Sequence, residues 1–215
     1  MIVGAAPCFD LPTEFSIKWH ERLYEQLKGE TFELKEEEAT RTKFNKAIHD
    51  HDPDIITFFD HGSEVALIDN NHANLLDSGN LDLVKGREVY TMCCSAASIL
   101  GKDAYRAGCK AWWGHTKPFS FITTDEEIYG RLANMGLLIR LDTGASWNEV
   151  IEEVKDAYDE EIDRLEKEGG NPWTVITLIN NRNCLVCWHD GNPPPTTCPF
   201  RMMGVALFGK AGQRI

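Results

Sequence analysis

The sequence lacks long hydrophobic runs and any excess of basic residues. No uninterrupted apolar stretch approaches the roughly 20 residues of a membrane-spanning helix. Residues 1–7 carry no basic segment and so do not predict a signal peptide. The 22 Lys and Arg residues are outnumbered by 34 Asp and Glu residues, and the formal net charge of −12 argues against nucleic acid or anionic membrane as partners. These absences predict a cytoplasmic protein.

Length and composition are those of an ordinary globular chain. With 215 residues, 42% hydrophobic and 26% charged, the chain can bury a substantial core, and we expect one domain over residues 1–215. Nothing in this composition excludes an oligomer. The 7 cysteines are an odd number, and a reducing compartment would leave most of them as free thiols. A nucleophilic role for a thiol therefore remains open.

Hydrophobic periodicity alternates between strand and helix along the chain. We predict strands at 1–7, 31–34, 54–60, 88–93 and 110–114, and helices at 13–27, 36–49, 95–107, 124–139 and from 146 to about 168. At the C-terminal end, residues 174–179 and 184–188 flank an Asn-rich turn and predict a β-hairpin. This order predicts a mostly parallel sheet with helices on both faces.

Two of the predicted strands end on chemically capable side chains. Residues 54–60 lead into His61, and residues 88–92 lead into Cys93. Open α/β sheets bind ligands at such strand ends, and a thiol beside an imidazole is a nucleophile and base pair. Two neighbouring parallel strands would hold His61 and Cys93 close together at one edge of the sheet. Because adjacent side chains of an extended segment face opposite sides, only one of Cys93 and Cys94 can face His61.

These two motifs together resemble the clan CD cysteine peptidases. The motifs are Phe-Phe-Asp-His-Gly-Ser at 58–63 and Tyr-Thr-Met-Cys-Cys-Ser-Ala at 90–96, and residues 100–114 are similar to the helix, turn and strand that follow the nucleophile in gingipain-like and CHAT sequences. The clan also includes caspases, legumains, clostripain and separase. The resemblance covers about residues 54–120 and implies a caspase-like three-layer α/β sandwich.

The resemblance also implies a reaction and the residues that perform it. Cys93 would attack a peptide bond through a thioester, His61 would carry the proton, and the backbone N–H groups of Gly62 and Cys93 would form the oxyanion hole. A thiol attacks best as thiolate, which is why it needs an imidazole close by. The expected substrate is a peptide or protein, with no metal or organic cofactor. Cys94 is the alternative nucleophile.

Some positions depart from the clan CD pattern. Met92 replaces the small residue that usually precedes the nucleophile, and Thr91 stands where many relatives carry an acidic or amide side chain that shapes the primary specificity pocket. Asp10, Thr91 and His115 are candidate pocket residues, although Asp10 also suits a helix cap and His115 a solvated surface. Asp60 is a candidate to orient His61. The sequence therefore predicts no particular substrate side chain.

Other readings of the cysteines and histidines are weaker. Cys184, Cys187, His189 and Cys198 superficially suggest zinc, but residues three apart on a strand point to opposite faces. A papain-like enzyme or glutamine amidotransferase would place its histidine after the cysteine, and a cysteine phosphatase would need an arginine closer than Arg106. The remaining histidines carry no signal in this reading: His20, His49, His51 and His72. The serious alternative is a catalytically inactive caspase-fold scaffold or regulatory binding module, which Met92 favours.

Overall fold

The computed structural model describes residues 1–195, and its centre is a six-stranded sheet. The strands of the chain are β1 (Ile2–Ala6), β2 (Thr31–Lys35), β3 (Ile55–Phe59), β4 (Leu67–Ile68), β5 (Asn74–Leu76), β6 (Glu88–Met92), β7 (Ala111–His115) and β8 (Leu185–His189). The order in the large sheet is β2-β1-β3-β6-β7-β8. All neighbours are parallel except β7 and β8, while β4 and β5 form a separate antiparallel pair.

Among residues 1–195, six α-helices cover the two faces of the sheet. They are α1 (Leu11–Tyr24), α2 (Arg41–His51), α3 (Leu100–Arg106), α4 (Glu126–Thr143), α5 (Trp147–Glu168) and α6 (Pro172–Cys184). Residues of α1, α4, α5 and α6 share one hydrophobic core with the sheet, and residues of α2 and α3 share a second core on the opposite face. The predicted sandwich, with a mostly parallel sheet between helices, is confirmed. No helix among residues 1–195 is long and apolar enough to cross a bilayer.

The two central strands alternate between these cores. In β3, Phe58 packs into the core beneath α2 and α3, whereas Phe59 packs into the other core. In β6 and just beyond it, Met92 joins the core beneath α1 and α4, and Cys93 joins the core beneath α2 and α3. Because both faces are covered, these strands are buried along almost their whole length, and successive side chains still point in opposite directions.

The predicted hairpin near the C-terminal end is wrong in its first arm. Residues 172–184 form α6, and β8 instead pairs antiparallel with β7. Asn171 caps the helix and Pro172 occupies its first turn, which are strong start signals. Asn181, expected in a turn, is buried and exchanges two hydrogen bonds with the backbone of Ser120. An antiparallel strand pair is present, but the strand that pairs with β8 is β7, from the middle of the chain.

Candidate active site

The segments that carry His61 and Cys93 leave the sheet side by side. Strands β3 and β6 are neighbours in register, with Phe59 opposite Met92, and the Asp60 N–H donates to the Met92 carbonyl at 3.2 Å. A small cavity of about 70 Å³ opens at this edge of the sheet. We call it the edge cavity; it is lined by Pro12, Thr13, Ser16, Trp19, Asp60, His61, Met92, Cys93, Cys94, Phe119 and Phe121.

The imidazole of His61 is held by a carboxylate from a different loop. Its Nε2 lies 2.8 Å from Oδ2 of Asp10, which follows β1 and caps α1. Burial alone would raise the pKa of Asp10, but hydrogen bonds from His61 and from the Thr13 backbone N–H outweigh it and lower the pKa. Asp10 is therefore ionised at neutral pH, and it leaves Nδ1 of His61 as the nitrogen not engaged by this pair.

Cys93 lies beneath the surface of the site. It is 2% exposed, and burial raises the pKa of its thiol well above the usual value. No hydrogen bond joins His61 to either thiol among the side chains of residues 1–195. In this conformation the Cys93 side chain is therefore a protonated thiol rather than a thiolate.

Gly62 lies directly against the Cys93 thiol. A Cβ atom at position 62 would come within 2.8 Å of Cys93 Sγ and 2.9 Å of the Cys94 carbonyl oxygen, so only glycine fits. Within the described part of the chain, neither the Gly62 N–H nor the Cys93 N–H has a hydrogen-bond acceptor. Two backbone donors are thus available close to the buried sulfur.

Cys94 occupies the other side of the same segment. Its side chain is partly exposed, and its sulfur lies 3.6 Å from the Phe119 carbonyl oxygen. Burial raises the pKa of Cys94 as well. The alternation expected from sequence holds here, because Cys93 belongs to the core beneath α2 and α3 whereas Cys94 faces Phe119 on the opposite side. Of the two thiols, Cys94 is the more accessible.

The helix predicted to begin at Ser95 begins at Leu100 instead. Ser95 has φ +57°, a left-handed conformation that is costly for a residue other than glycine. The backbone N–H groups of Ser95 and Ala97 donate to the carbonyls of Lys117 and His115, at 3.1 and 3.0 Å. These bonds hold the segment as a turn, so no helix begins directly after Cys93 and Cys94.

Asp60 does not orient His61, as the sequence had suggested it could. Its carboxylate is buried and makes no hydrogen bond among residues 1–195, whereas Asp10 makes the contact with the imidazole. Burial raises the pKa of Asp60 to about 8, and the nearby backbone N–H of His61 offsets only part of this effect. Ser63 is a turn residue whose Oγ accepts from the Ala66 N–H.

Thr91 and His115 do not line the edge cavity. Thr91 is buried, and its Oγ1 donates to the Trp113 carbonyl at 2.8 Å. The expectation of a solvated His115 is wrong, since this residue is 3% exposed with its ring packed edge-on against Phe119. Burial lowers the pKa of His115 to about 3, and neither ring nitrogen is hydrogen-bonded within residues 1–195.

Several site features were missed from the sequence. The wall of the edge cavity is aromatic, with Trp19 packed edge-on against Phe121 at 5.1 Å between ring centroids. In the sequence Trp19 falls within the helix predicted at 13–27, and nothing in its spacing connects it with residues 119 and 121. His20 also differs from expectation, because it is fully buried and lies 3.2 Å from Glu33 Oε2.

The cysteines considered for zinc are spread over different elements. Cys184 ends α6 and Cys187 lies in β8, and both are buried. His189 bonds through Nε2 to the side-chain oxygen of Asn148 at 3.0 Å. Cys198 lies outside the described residues.

The fold is similar to that of a solved protein complex. The structure is the complex of the pro- and mature domains of RgpB from Porphyromonas gingivalis, with a TM-score of 0.54 and 9% sequence identity. The match covers 88% of this chain and 47% of that chain, so this chain spans about half its length. At this identity the similarity bears on the fold alone, and the fold is a caspase-like α/β sandwich. No protein-family model and no curated protein matches the sequence.

Proposed function

We propose that this protein is a cysteine endopeptidase in which Cys93 attacks the peptide carbonyl and His61 carries the proton. The observation that carries the proposal is the shared position of the two residues in the edge cavity, at the ends of adjacent parallel strands. Gly62 against the sulfur and Asp10 on the imidazole complete the set of groups that acyl transfer needs.

The reaction assigns one task to each of these groups. The Cys93 thiol gives its proton to Nδ1 of His61, and the sulfur bonds to the carbonyl carbon. The oxyanion so formed accepts hydrogen bonds from the N–H groups of Gly62 and Cys93. His61 then returns the proton to the leaving amine as the C–N bond breaks, and water hydrolyses the thioester with His61 as base. Asp10 accepts from Nε2–H throughout and stabilises the imidazolium.

The conformation described here requires a local change before catalysis. The Cys93 thiol is buried and its raised pKa keeps it protonated. A substrate carbonyl reaches the sulfur only if the thiol turns toward the edge cavity, where the imidazole can take its proton. Catalytic hydrogen bonds commonly tighten only when substrate is bound.

A matched pair of variants tests the assignment. Cys93→Ala and Cys94→Ala remove neighbouring thiols of the same segment, and each is assayed on a peptide library with randomised residues on both sides of the scissile bond. We expect Cys93→Ala to lose cleavage entirely and Cys94→Ala to keep most of it. Once the Cys93 thiol turns toward the edge cavity and His61 takes its proton, iodoacetamide should label it selectively below pH 8, and His61→Ala should abolish that selectivity.

The reverse result would transfer the reaction to Cys94. This thiol is the more exposed of the two and lines the same edge cavity. Loss of cleavage in Cys94→Ala, together with retention in Cys93→Ala, would identify Cys94 as the nucleophile.

A catalytically inactive binding module is the second candidate. The buried thiol favours it, because Cys93 makes no hydrogen bond to His61 in this conformation and is not ready to react. Absence of cleavage across the whole library, combined with equal alkylation of Cys93 and Cys94, would support this alternative and contradict the peptidase proposal.

A further inference from the structure

The edge cavity contains a buried carboxylate with no partner. Asp60 is 6% exposed, and neither of its side-chain oxygens makes a hydrogen bond within residues 1–195. Buried polar groups are nearly always hydrogen-bonded, so an exception at a cavity wall needs an explanation. The like charge of Asp10 adds to the cost of ionising Asp60. The position therefore lacks a positive group.

The walls around this carboxylate are apolar and aromatic. Trp19, Met92, Phe119 and Phe121 line the edge cavity, and no lysine or arginine is among its lining residues. The ring of Trp19 packs edge-on against those of Phe119 and Phe121, with centroids 6.3 and 5.1 Å away. Aromatic faces attract cations as well as methylene groups. The lining therefore suits an aliphatic chain that ends in a positive charge.

The size of the edge cavity narrows the choice of cation. At about 70 Å³ the edge cavity is far smaller than the roughly 300–1,000 Å³ of typical small-molecule sites, so it suits one side chain rather than a whole ligand. An ammonium is a compact charge with three donors, whereas a guanidinium is a wide planar fork that needs a matching slot. Asp60 is the single carboxylate among the lining residues, and one compact ammonium suits it.

We propose that the edge cavity is the primary specificity pocket and that Asp60 selects a lysine side chain on the residue that supplies the scissile carbonyl. The inference rests on the proposed peptidase function. Its geometric basis is that Asp60 directly precedes His61 and that Cys93 lines the same cavity, so a side chain in the cavity belongs to the residue whose carbonyl meets the sulfur.

Values of kcat/KM for matched peptides test whether Asp60 selects lysine before the scissile bond. Four fluorogenic peptides differ only at the residue before the scissile bond, which is lysine, norleucine, arginine or aspartate. Norleucine resembles lysine in shape but has no ammonium. We expect kcat/KM for lysine to exceed that for norleucine by 100-fold or more in wild type, and this ratio to fall below fivefold in Asp60→Asn. Asp82→Asn, which removes an exposed carboxylate elsewhere, should leave the ratio unchanged.

A binding measurement that requires no turnover separates this inference from the peptidase proposal. Calorimetry compares n-butylamine with n-butanol on wild type, and we expect the amine to bind at least tenfold more tightly. Equal binding of the two probes would overturn the inference even if Asp60→Asn failed to fold. Cleavage after aspartate or norleucine as fast as after lysine would also overturn it while leaving the peptidase proposal intact. Selective binding of the amine without any cleavage of peptides would support a cation site at Asp60 and contradict the peptidase proposal.

Discussion

Asp10 Oδ2 lies 2.8 Å from His61 Nε2, while Asp10 Oδ1 accepts from the Thr13 N–H at 3.1 Å. One carboxylate thus caps α1 and also holds the imidazole of the proposed base. The two residues are brought together because β1 and β3 are neighbours in the sheet, so the loops that follow them meet at one edge. This relationship links a structural role to a chemical one and allows them to be separated by substitution.

Replacing Asp10 by Ser separates the helix cap from the contact with His61. Serine is about as good an N-cap as aspartate but is too short to reach the imidazole, so we expect the free energy of unfolding to change by less than about 0.5 kcal/mol. Loss of the charge-assisted hydrogen bond should lower kcat/KM about 10- to 100-fold. Denaturant unfolding and peptidase kinetics measure the two effects.

Asp10→Asn is the matched control for this variant. The amide has the same length but only one acceptor oxygen, so it can accept from the Thr13 N–H or from His61 but not from both, and it should retain more activity than Asp10→Ser. Wild-type activity in Asp10→Ser would show that the contact with His61 has no part in the reaction.

Replacing Gly62 by Ala forces a side chain against the nucleophile. The new Cβ would lie 2.8 Å from Cys93 Sγ and 2.9 Å from the Cys94 carbonyl, so the segment must shift. We expect a destabilisation of about 1–3 kcal/mol and loss of nearly all activity. The same substitution in a Cys93→Ala background should cost less, because the sulfur is gone, and a double-mutant cycle measures the difference. Equal costs in both backgrounds would mean that Gly62 and the sulfur are not in contact.

The raised pKa of Asp60 predicts a stability that falls as the pH rises. Burial raises this pKa to about 8, so between about pH 4 and pH 8 the unfolded chain releases a proton that the native protein keeps. The native state binds more protons in this range, and stability declines by about 1.4 kcal/mol per pH unit from this group. Asp60→Asn has no ionisable group at this position, so this contribution to the pH dependence of stability is absent. Its stability relative to wild type should therefore increase by about 3 kcal/mol between pH 5 and pH 7.5.

Urea unfolding of wild type and Asp60→Asn at several pH values measures this effect. Asp82→Asn provides the control, because its carboxylate is exposed. A difference between wild type and Asp60→Asn that stays constant with pH would mean that Asp60 is ionised in the native protein.

His115 predicts a pH dependence of the opposite sign. Burial lowers its pKa to about 3. Between about pH 6.5 and pH 3 the histidine is therefore protonated in the unfolded chain but not in the native protein. This group therefore makes stability fall as the pH is lowered, by about 1.4 kcal/mol per unit. His115→Phe should remove this slope, and His49→Gln, at an exposed position, should not. Unfolding of the three proteins at pH 7 and pH 5 makes the comparison, and parallel curves would contradict the prediction.

Local pattern accounts for most of the fold. The strands β3 and β6 are five residues long and mostly apolar, and α5 begins with a capping box at Ser146, where its helix is predicted to start. The pattern failed at residues 172–184, where an Asn-rich stretch between apolar residues fits a turn and a helix equally well. Packing against α5 and the hydrogen bonds of Asn181 stabilise the helix over the turn.

The sequence by itself determined that an imidazole and a thiol would follow two strands, because alternation and apolar runs identify strands and the next residues can be read directly. Only the tertiary structure decided that Asp10 holds His61, that Cys93 is buried while Cys94 is partly exposed, and that Asp60 has no partner. The physical reason is that periodicity reports which face of its own element a residue occupies. Hydrogen bonds between distant loops depend on strand order and register, which single-element patterns do not contain.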